Sequence, residues 1–224
     1  MITAEASTRP REPLTRERVL TTAVALADKG GVDAISMRLI AQELGVVPMA
    51  LYKHVANKDE MLDGMIDVVV GEIDPPDPAL EWKAAVRTRI LSARRALLRH
   101  PWASRVMESR TSPTPIVLAY MDSMIAMFVA GGFSIDLVHH VMHAMGSRLM
   151  GFTQEMFNDQ SDEEQPFQPE MLEQLQTVFP SIYELYLTVN HEDESIVGPG
   201  CDDQFEFEFA LDLMLDGIER LKDL

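Results

Sequence analysis

The sequence contains little that would suit a secreted, disulfide-bonded or membrane protein. Its single cysteine, Cys201, rules out an intramolecular disulfide. Residues 1–13 are polar and lack the apolar core of a signal peptide, and no apolar run approaches the length needed to cross a membrane. The sequence therefore predicts a cytoplasmic protein. Its 224 residues are enough to bury a sizeable core in one large domain or two smaller ones.

The chain also lacks strand runs bounded by hairpin turns, and it shows no internal repeat, so the apolar periodicity predicts an all-α fold. The proline-rich segment 74–78 interrupts this pattern. We therefore predict a flexible polar arm (1–13), a first helical domain (14–74) and a second (79–224). Residues 158–169 and 190–203 are expected to be loops. The second domain is expected to contain five or six longer helices, among them 80–99, 114–130, 134–157 and 203–221.

The most informative segment is SMRLIAQELGVVPMALYKHVANKDEM, residues 36–61. Ser36 is a suitable N-cap for a helix that ends just before Gly45, and this glycine can adopt the positive φ that a sharp turn requires. A second short helix is predicted from about Val47 to His54. Asn57, followed three residues later by glutamate, resembles a capping box that begins the next helix. This layout is typical of a helix-turn-helix, in which the second helix enters the DNA major groove.

The charge of the chain is unevenly distributed, and basic residues are scarce in its second half. The net charge is −17, yet residues 1–62 carry eight basic and eight acidic side chains, whereas residues 111–224 carry three and twenty-one. An acidic second half repels phosphate and discourages random coating of DNA. It is compatible with a small, locally neutral DNA-reading head, residues 14–74, that docks in one orientation. Solubility alone would explain the same acidity.

Three stretches of the first seventy residues resemble the TetR family of bacterial regulators: LADKGG, ISMRLIAQELGV and ALYKHVANKDEML. The second half, through EWKAAVRTRILSARRALLRH and MFVAGGFS, resembles the ligand-binding domain of the tetracycline repressor. The resemblance implies a homodimer with DNA-reading heads at one end and an effector cavity in each subunit. Met107 stands where the tetracycline repressor holds a magnesium–drug complex with histidine, and Arg89 replaces its drug-contacting asparagine. Tetracycline and magnesium are therefore not the predicted ligands.

The residues of the second short helix and its flanks are candidates for DNA contact. Tyr52 fits a phosphate contact that sets orientation, and Lys58 would add its charge to the exposed N–H groups of a helix start. Lys53 is expected to carry much of the direct readout, because its neighbours offer mainly apolar contacts such as those to thymine methyl groups. The predicted DNA-binding residues are Arg38, Val47, Pro48, Met49, Ala50, Tyr52, Lys53, His54 and Lys58.

Methionines are abundant, fifteen in all, and most lie in the second half. Flexible thioethers suit a pocket that accepts apolar molecules of varied shape, although core packing explains any single methionine better. Arg89 is a candidate anchor for an anionic effector because of its position in the resemblance. The predicted effector-binding residues are Arg89, Met107, Met121, Met124, Phe128, His139, Met142 and His143.

His139 and His143 have the i, i+4 spacing of a metal pair, but a zinc site needs further ligands that no HExxH motif or cysteine pair supplies. We therefore predict no metal and no cofactor, and we expect these histidines to line the effector pocket or to be hydrogen-bonded in the core. The favoured function is a repressor, not an enzyme, that a small, largely apolar effector releases from a palindromic operator. The alternatives are an all-α metalloprotein or enzyme using His139 and His143, and a DNA-binding regulator without a small-molecule effector.

Overall fold

The computed structural model describes residues 13–151, 169–188 and 203–222, and every regular element in these ranges is helical. This confirms the all-α prediction. The α-helices are α1 (Arg16–Gly30), α2 (Met37–Leu44), α3 (Pro48–Leu51), α4 (Lys58–Gly71), α5 (Trp82–Arg99), α6 (Trp102–Ser109), α7 (Pro115–Ala130), α8 (Ile135–Gly151), α9 (Pro169–Val178), α10 (Pro180–Thr188) and α11 (Asp203–Arg220). Cys201, most of the polar arm and both expected loops, apart from Pro169 and Asp203, lie outside the described residues.

The first helices begin and end where the local signals predict. Ser36 caps α2 by accepting a hydrogen bond from the Leu39 N–H, with an N–O distance of 3.2 Å. Gly45 follows α2 in the left-handed region, at φ 66° and ψ 33°, a conformation that costs glycine little because it has no Cβ. Asn57 caps α4 through a 2.8 Å hydrogen bond from the Glu60 N–H. Side-chain capping and one glycine therefore set the spacing of α2, α3 and α4.

Three helix boundaries differ from the prediction. The second short helix is regular only over α3, and residues 52–54 form a turn closed by a hydrogen bond from the His54 N–H to the Leu51 carbonyl. A short helix, α6, follows Pro101, and Pro180 separates α9 from α10. The described residues after position 80 therefore hold seven helices instead of five or six. Proline explains the last two differences because it breaks one helix and readily starts another.

The described chain forms two compact units, and the first contains residues 13–79 and 88–127. Its core includes Val19 and Ala23 of α1, Ile40 of α2 and Met61 and Met65 of α4, none of which is measurably exposed. The last two thirds of α5, all of α6 and most of α7 belong to this unit. The boundary at 74–78 remains a prediction about the domains. In the structure, residues 88–127 belong to the same compact unit as the DNA-reading head.

The second unit contains residues 80–87 and the described residues from 128 onward. Its aromatic centre is formed by Trp82, Phe128 and Phe133, whose ring centroids lie 4.6 to 5.9 Å apart. Lys83 and Arg87 form ion pairs with acidic residues of α11. Within the described residues, no helix combines the length and the hydropathy that a membrane span requires.

Candidate nucleic-acid interface

The segment around α3 has a buried side and an exposed side. Leu51 and Val55 are 0% and 1% exposed, as predicted for residues that pack inward. Val47 and Met49 are 68% and 72% exposed, although exposure of a large apolar side chain to water is usually unfavourable. Two apolar side chains on the same short helical segment therefore face solvent and are available for an apolar contact with a partner.

The structure places the other predicted DNA-binding residues around the same segment. Tyr52 is 46% exposed. Ala50 and His54 are half-buried, whereas the remaining residues of the set are exposed: Arg38, Pro48, Lys53 and Lys58. Exposure makes each of these side chains available, and their roles in DNA contact remain predictions.

Arg16, at the first position of α1, contacts the end of residues 47–54, which we call the reading segment. Sequence reasoning did not identify Arg16. Its Nη1 donates to the His54 carbonyl at 2.8 Å and to Glu60 Oε1 at 2.7 Å. The other Glu60 oxygen accepts a 2.7 Å hydrogen bond from the Ala56 N–H. The capping box is therefore modified, because glutamate reaches the residue before the N-cap instead of the N-cap itself. The hydrogen bond from Ala56 and the charge of Arg16 lower the pKa of Glu60.

A second arginine, Arg110, holds α4 from the segment that follows α6. Its Nη1 donates to Asp59 at 3.0 Å, and its Nε lies 2.7 Å from Asp63. The hydrogen bond to Asp59 is the main cause that raises the pKa of Arg110. One turn further along α4, Asp67 accepts a hydrogen bond from the Thr114 hydroxyl. The three aspartates follow each other at intervals of four, so one face of α4 is held along three turns.

A partly buried polar cluster joins α1, the end of α4 and the break between α5 and α6. His100 is 6% exposed, and its two ring nitrogens lie 2.8 Å from Asp28 and 3.1 Å from Glu72. The Trp102 indole N–H donates to the same Asp28 oxygen at 2.6 Å. Burial raises the pKa of Glu72, but hydrogen bonds from Arg99 and His100 outweigh it and leave that pKa lowered. The cluster couples the reading head to the helices that follow it within the first unit.

Four of the predicted effector-binding residues lie in the first unit. Arg89 is only 8% exposed and has neutral partners: the Asp74 carbonyl, the Ser123 hydroxyl at 3.0 Å and the Tyr120 ring at 5.0 Å. Burial lowers the pKa of Arg89. The three methionines of this unit differ in exposure: Met124 is buried, Met107 half-buried and Met121 40% exposed.

The other four predicted effector-binding residues lie in the second unit. Phe128 is fully buried and Met142 half-buried. His139 and His143 are exposed along α8, with ring centroids 4.7 Å apart, so neither is a core histidine in the single chain. Among the described residues, no group of three histidine, cysteine or acidic side chains could hold a metal ion. The assignment of these residues to an effector remains a prediction.

An exposed helix-turn-helix on a capped helical frame, followed by further helices, defines the class of helix-turn-helix DNA-binding proteins. Family models match both parts of this chain. The model for bacterial regulatory proteins of the tetR family matches residues 19–65, and the model for the tetracyclin repressor-like C-terminal domain matches residues 74–221. The second match alone spans more than half of the chain, and the protein belongs to the TetR family of transcriptional regulators.

Individual relatives agree with this assignment. The HTH-type transcriptional repressor DrrR1 of Streptomyces coeruleorubidus is 30% identical over 222 residues, which cover 95% of this chain and 80% of that protein. An HTH-type transcriptional regulator of Saccharopolyspora erythraea is 35% identical over 130 residues, 58% of this chain and 55% of that protein. The chain therefore matches about half the length of the second relative.

Solved structures show the same fold. Apo ActR of Streptomyces coelicolor superimposes with a TM-score of 0.70 at 27% identity, covering 92% of this chain and 95% of that chain. The structure of ActR in complex with actinorhodin gives a TM-score of 0.68 at 26% identity, covering 94% and 99%. This chain is accordingly a DNA-binding transcriptional regulator, and the alternative of a metalloprotein or enzyme based on His139 and His143 finds no support in these relatives.

Proposed function

We propose that the protein is a homodimeric repressor that binds a palindromic operator in the cytoplasm and is released by a small, largely apolar effector. The observation that carries the proposal is the exposed segment around α3, where Val47 and Met49 face solvent while Leu51 and Val55 anchor the segment from beneath. A short helix with this division of faces suits insertion into a major groove. The relative DrrR1, itself a repressor, supports repression over activation.

DNA recognition would divide between position and sequence. Tyr52 and Lys58 are assigned to phosphate, which fixes register, and Lys53 to a base edge beside the apolar contacts of Met49. In a dimer the two reading segments would have to lie about 34–36 Å apart to enter successive major grooves. Arg16 supports this geometry because it fixes the carbonyl of His54 at the end of the segment.

Effector control would act through the contacts that hold α4. Arg110, Thr114 and His100 connect this helix to the segments around α6 and the start of α7. A ligand that changes those segments would change the position of α4 and of the reading segment. To move operator occupancy from nearly full to nearly empty, the ligand must favour the released conformer by about 5 kcal/mol. The complex of ActR with actinorhodin makes that compound the first probe.

The test is selection of bound fragments from a random pool of double-stranded DNA. Wild-type protein is compared with Tyr52→Ala and Lys53→Ala, and Arg105→Ala serves as the control because it removes an exposed cation of α6. We expect one palindromic site that wild-type protein and the control recover and the two test variants lose. Recovery of no site, or equal recovery by all variants, would contradict the assigned interface. Operator affinity that does not change with actinorhodin or with other apolar ligands would contradict effector control.

A further inference from the structure

The start of α4 presents an electrostatic conflict for a DNA-binding protein. Lys58, the proposed phosphate contact, is followed directly by Asp59 and Glu60, so the first turn carries one positive and two negative charges. Acidic residues in a first turn stabilise the helix through its dipole, but they repel a phosphate that approaches the same N–H groups. Without partners from elsewhere in the chain, this turn would carry a net negative charge and would repel DNA.

Two arginines from distant parts of the chain pair with these two carboxylates. Arg16 of α1 lies 2.7 Å from Glu60, and Arg110, after α6, lies 3.0 Å from Asp59. The side chain of Arg110 is only 22% exposed, whereas that of Asp59 is 77% exposed. Arg110 is therefore a mostly buried cation paired with an accessible carboxylate. With both pairs formed, Lys58, Asp59, Glu60 and the two arginines carry one net positive charge. Asp63, which also pairs with Arg110, brings the local sum to zero, compared with two net negative charges without the arginines.

We propose that Arg110 is a positioning residue for DNA binding, which neutralises Asp59 and thereby allows phosphate to be accepted beside Lys58. This inference rests on the proposed function, because it takes Lys58 to be a phosphate contact. Arg110 also holds Asp63, so it fixes the direction in which α4 presents its first turn. The arrangement keeps an acidic residue where the helix needs it while removing its repulsion of DNA.

If Arg110 acts through its charge, its removal has consequences that a purely structural role would not have. Removing Arg110 should weaken DNA binding, and removing the charge of Asp59 should reverse that loss. The effect should fall as salt rises, because it is electrostatic and close to the protein surface. It should also be equal for all DNA sequences, because phosphate contacts carry no base information. If Arg110 only braced α4, loss of the Asp59 charge would not restore affinity.

The experiment measures fluorescence anisotropy of two labelled duplexes between 50 and about 200 mM salt, a range over which phosphate contacts are strongly salt-dependent. One duplex is the fragment that wild-type protein selects from a random pool, and the other is an unrelated duplex of equal length. The proteins are full-length wild type, Arg110→Gln, Asp59→Asn, the double variant and Arg105→Gln. Arg105 is the matched control because it is an exposed arginine paired with an exposed carboxylate, Asp33.

At the lowest salt we expect Arg110→Gln to weaken binding to both duplexes about five-fold, and Arg105→Gln to change it by less than about two-fold. Asp59→Asn should strengthen binding, and the double variant should return to wild-type affinity. Equal affinity of Arg110→Gln and wild type, or a loss that Asp59→Asn does not restore, would overturn the proposal. If Arg110→Gln does not fold, Asp59→Asn alone decides, because an unchanged affinity would show that this carboxylate does not face phosphate.

The two duplexes keep this inference separate from the proposed function. Absence of any preferred fragment would count against sequence-specific regulation by this interface. Binding to the unrelated duplex would still report whether Arg110 and Asp59 act on phosphate affinity.

Discussion

Replacing Asp28 tests whether the partly buried cluster around His100 stabilises the reading head. One oxygen of Asp28 accepts hydrogen bonds from both the His100 ring and the Trp102 indole, at 2.8 and 2.6 Å. His100 and Trp102 are 6% and 7% exposed, so water has little access to their ring nitrogens. Asp28→Ala therefore leaves two buried donors without their acceptor.

The expected loss follows from the cost of an unsatisfied buried group. Each orphaned donor costs about 1–3 kcal/mol, which would give about 2–6 kcal/mol for two. The side chain of Asp28 is 29% exposed, so water can enter part of the vacated space and lower the cost. We expect Asp28→Ala to reduce the free energy of unfolding by about 2–4 kcal/mol, a large share of the total stability of a typical domain.

The matched control is Asp33→Ala, which removes another aspartate that pairs with an arginine. The charged atoms of Asp33 and Arg105 lie 3.1 Å apart, and their side chains are 79% and 75% exposed. Exposed ion pairs contribute only about 0–1 kcal/mol to stability. Asp28→Asn provides an intermediate case, because its amide oxygen can still accept both hydrogen bonds but carries no negative charge. The free energies of unfolding are measured by urea denaturation at a single protein concentration, with midpoint and slope compared for all variants. A loss in Asp28→Ala no larger than that in Asp33→Ala would refute the reasoning.

Three further predictions concern the reading segment. Leu51→Ala should lower the free energy of unfolding by about 2–5 kcal/mol in urea denaturation, because it empties a fully buried site, whereas Met49→Ala should change it by less than about 0.5 kcal/mol. Replacing thymine by uracil in the selected operator should weaken binding of wild-type protein in anisotropy measurements but should not weaken binding of Met49→Ala further, if Met49 contacts a thymine methyl group. The pKa of Glu60 is lowered in the folded protein from its ordinary value of 4.5, so its contribution is complete above that pH and is lost as the pH falls through the lowered pKa. Glu60→Gln should therefore make acid unfolding less steep below about pH 4.5 and leave its course between pH 6 and 8 unchanged; equal steepness in both proteins would contradict this role.

The helix-turn-helix could be predicted because its signals are local. Ser36, Gly45 and Asn57 act on backbone groups within four residues of themselves, and the alternation of buried and exposed positions around Leu51 follows from the helix period. The same kind of signal placed the starts of α5, α7, α8 and α11 and the ends of α5, α7 and α11 within two residues of their observed positions. The expected helix end at residue 157 lies outside the described residues. The prediction was least accurate after Pro101 and Pro180, where a short helix and a helix pair follow a proline.

The long-range contacts that hold the candidate interface could not be predicted from such local signals. Sequence reasoning did not single out Arg16 or Arg110. The basic pattern of α5 did not specify that Arg89 would be buried or which acidic residues of α11 would pair with Lys83 and Arg87. His100, directly after the helix expected over 80–99, was not identified as a contact residue either. In each of these cases the partner lies at a distance along the chain that no periodic pattern specifies.

The order of residues alone therefore determined the class of fold, the location of the reading segment and the side chains that the segment exposes, because caps, turns and apolar periodicity act over one or two helical turns. The folded chain determined which charges meet. Arg110 reaches Asp59 across 51 residues, and His100 reaches Asp28 across 72. A charged side chain has many possible partners in a sequence but very few once packing has placed the helices, and those few set the net charge at the start of α4.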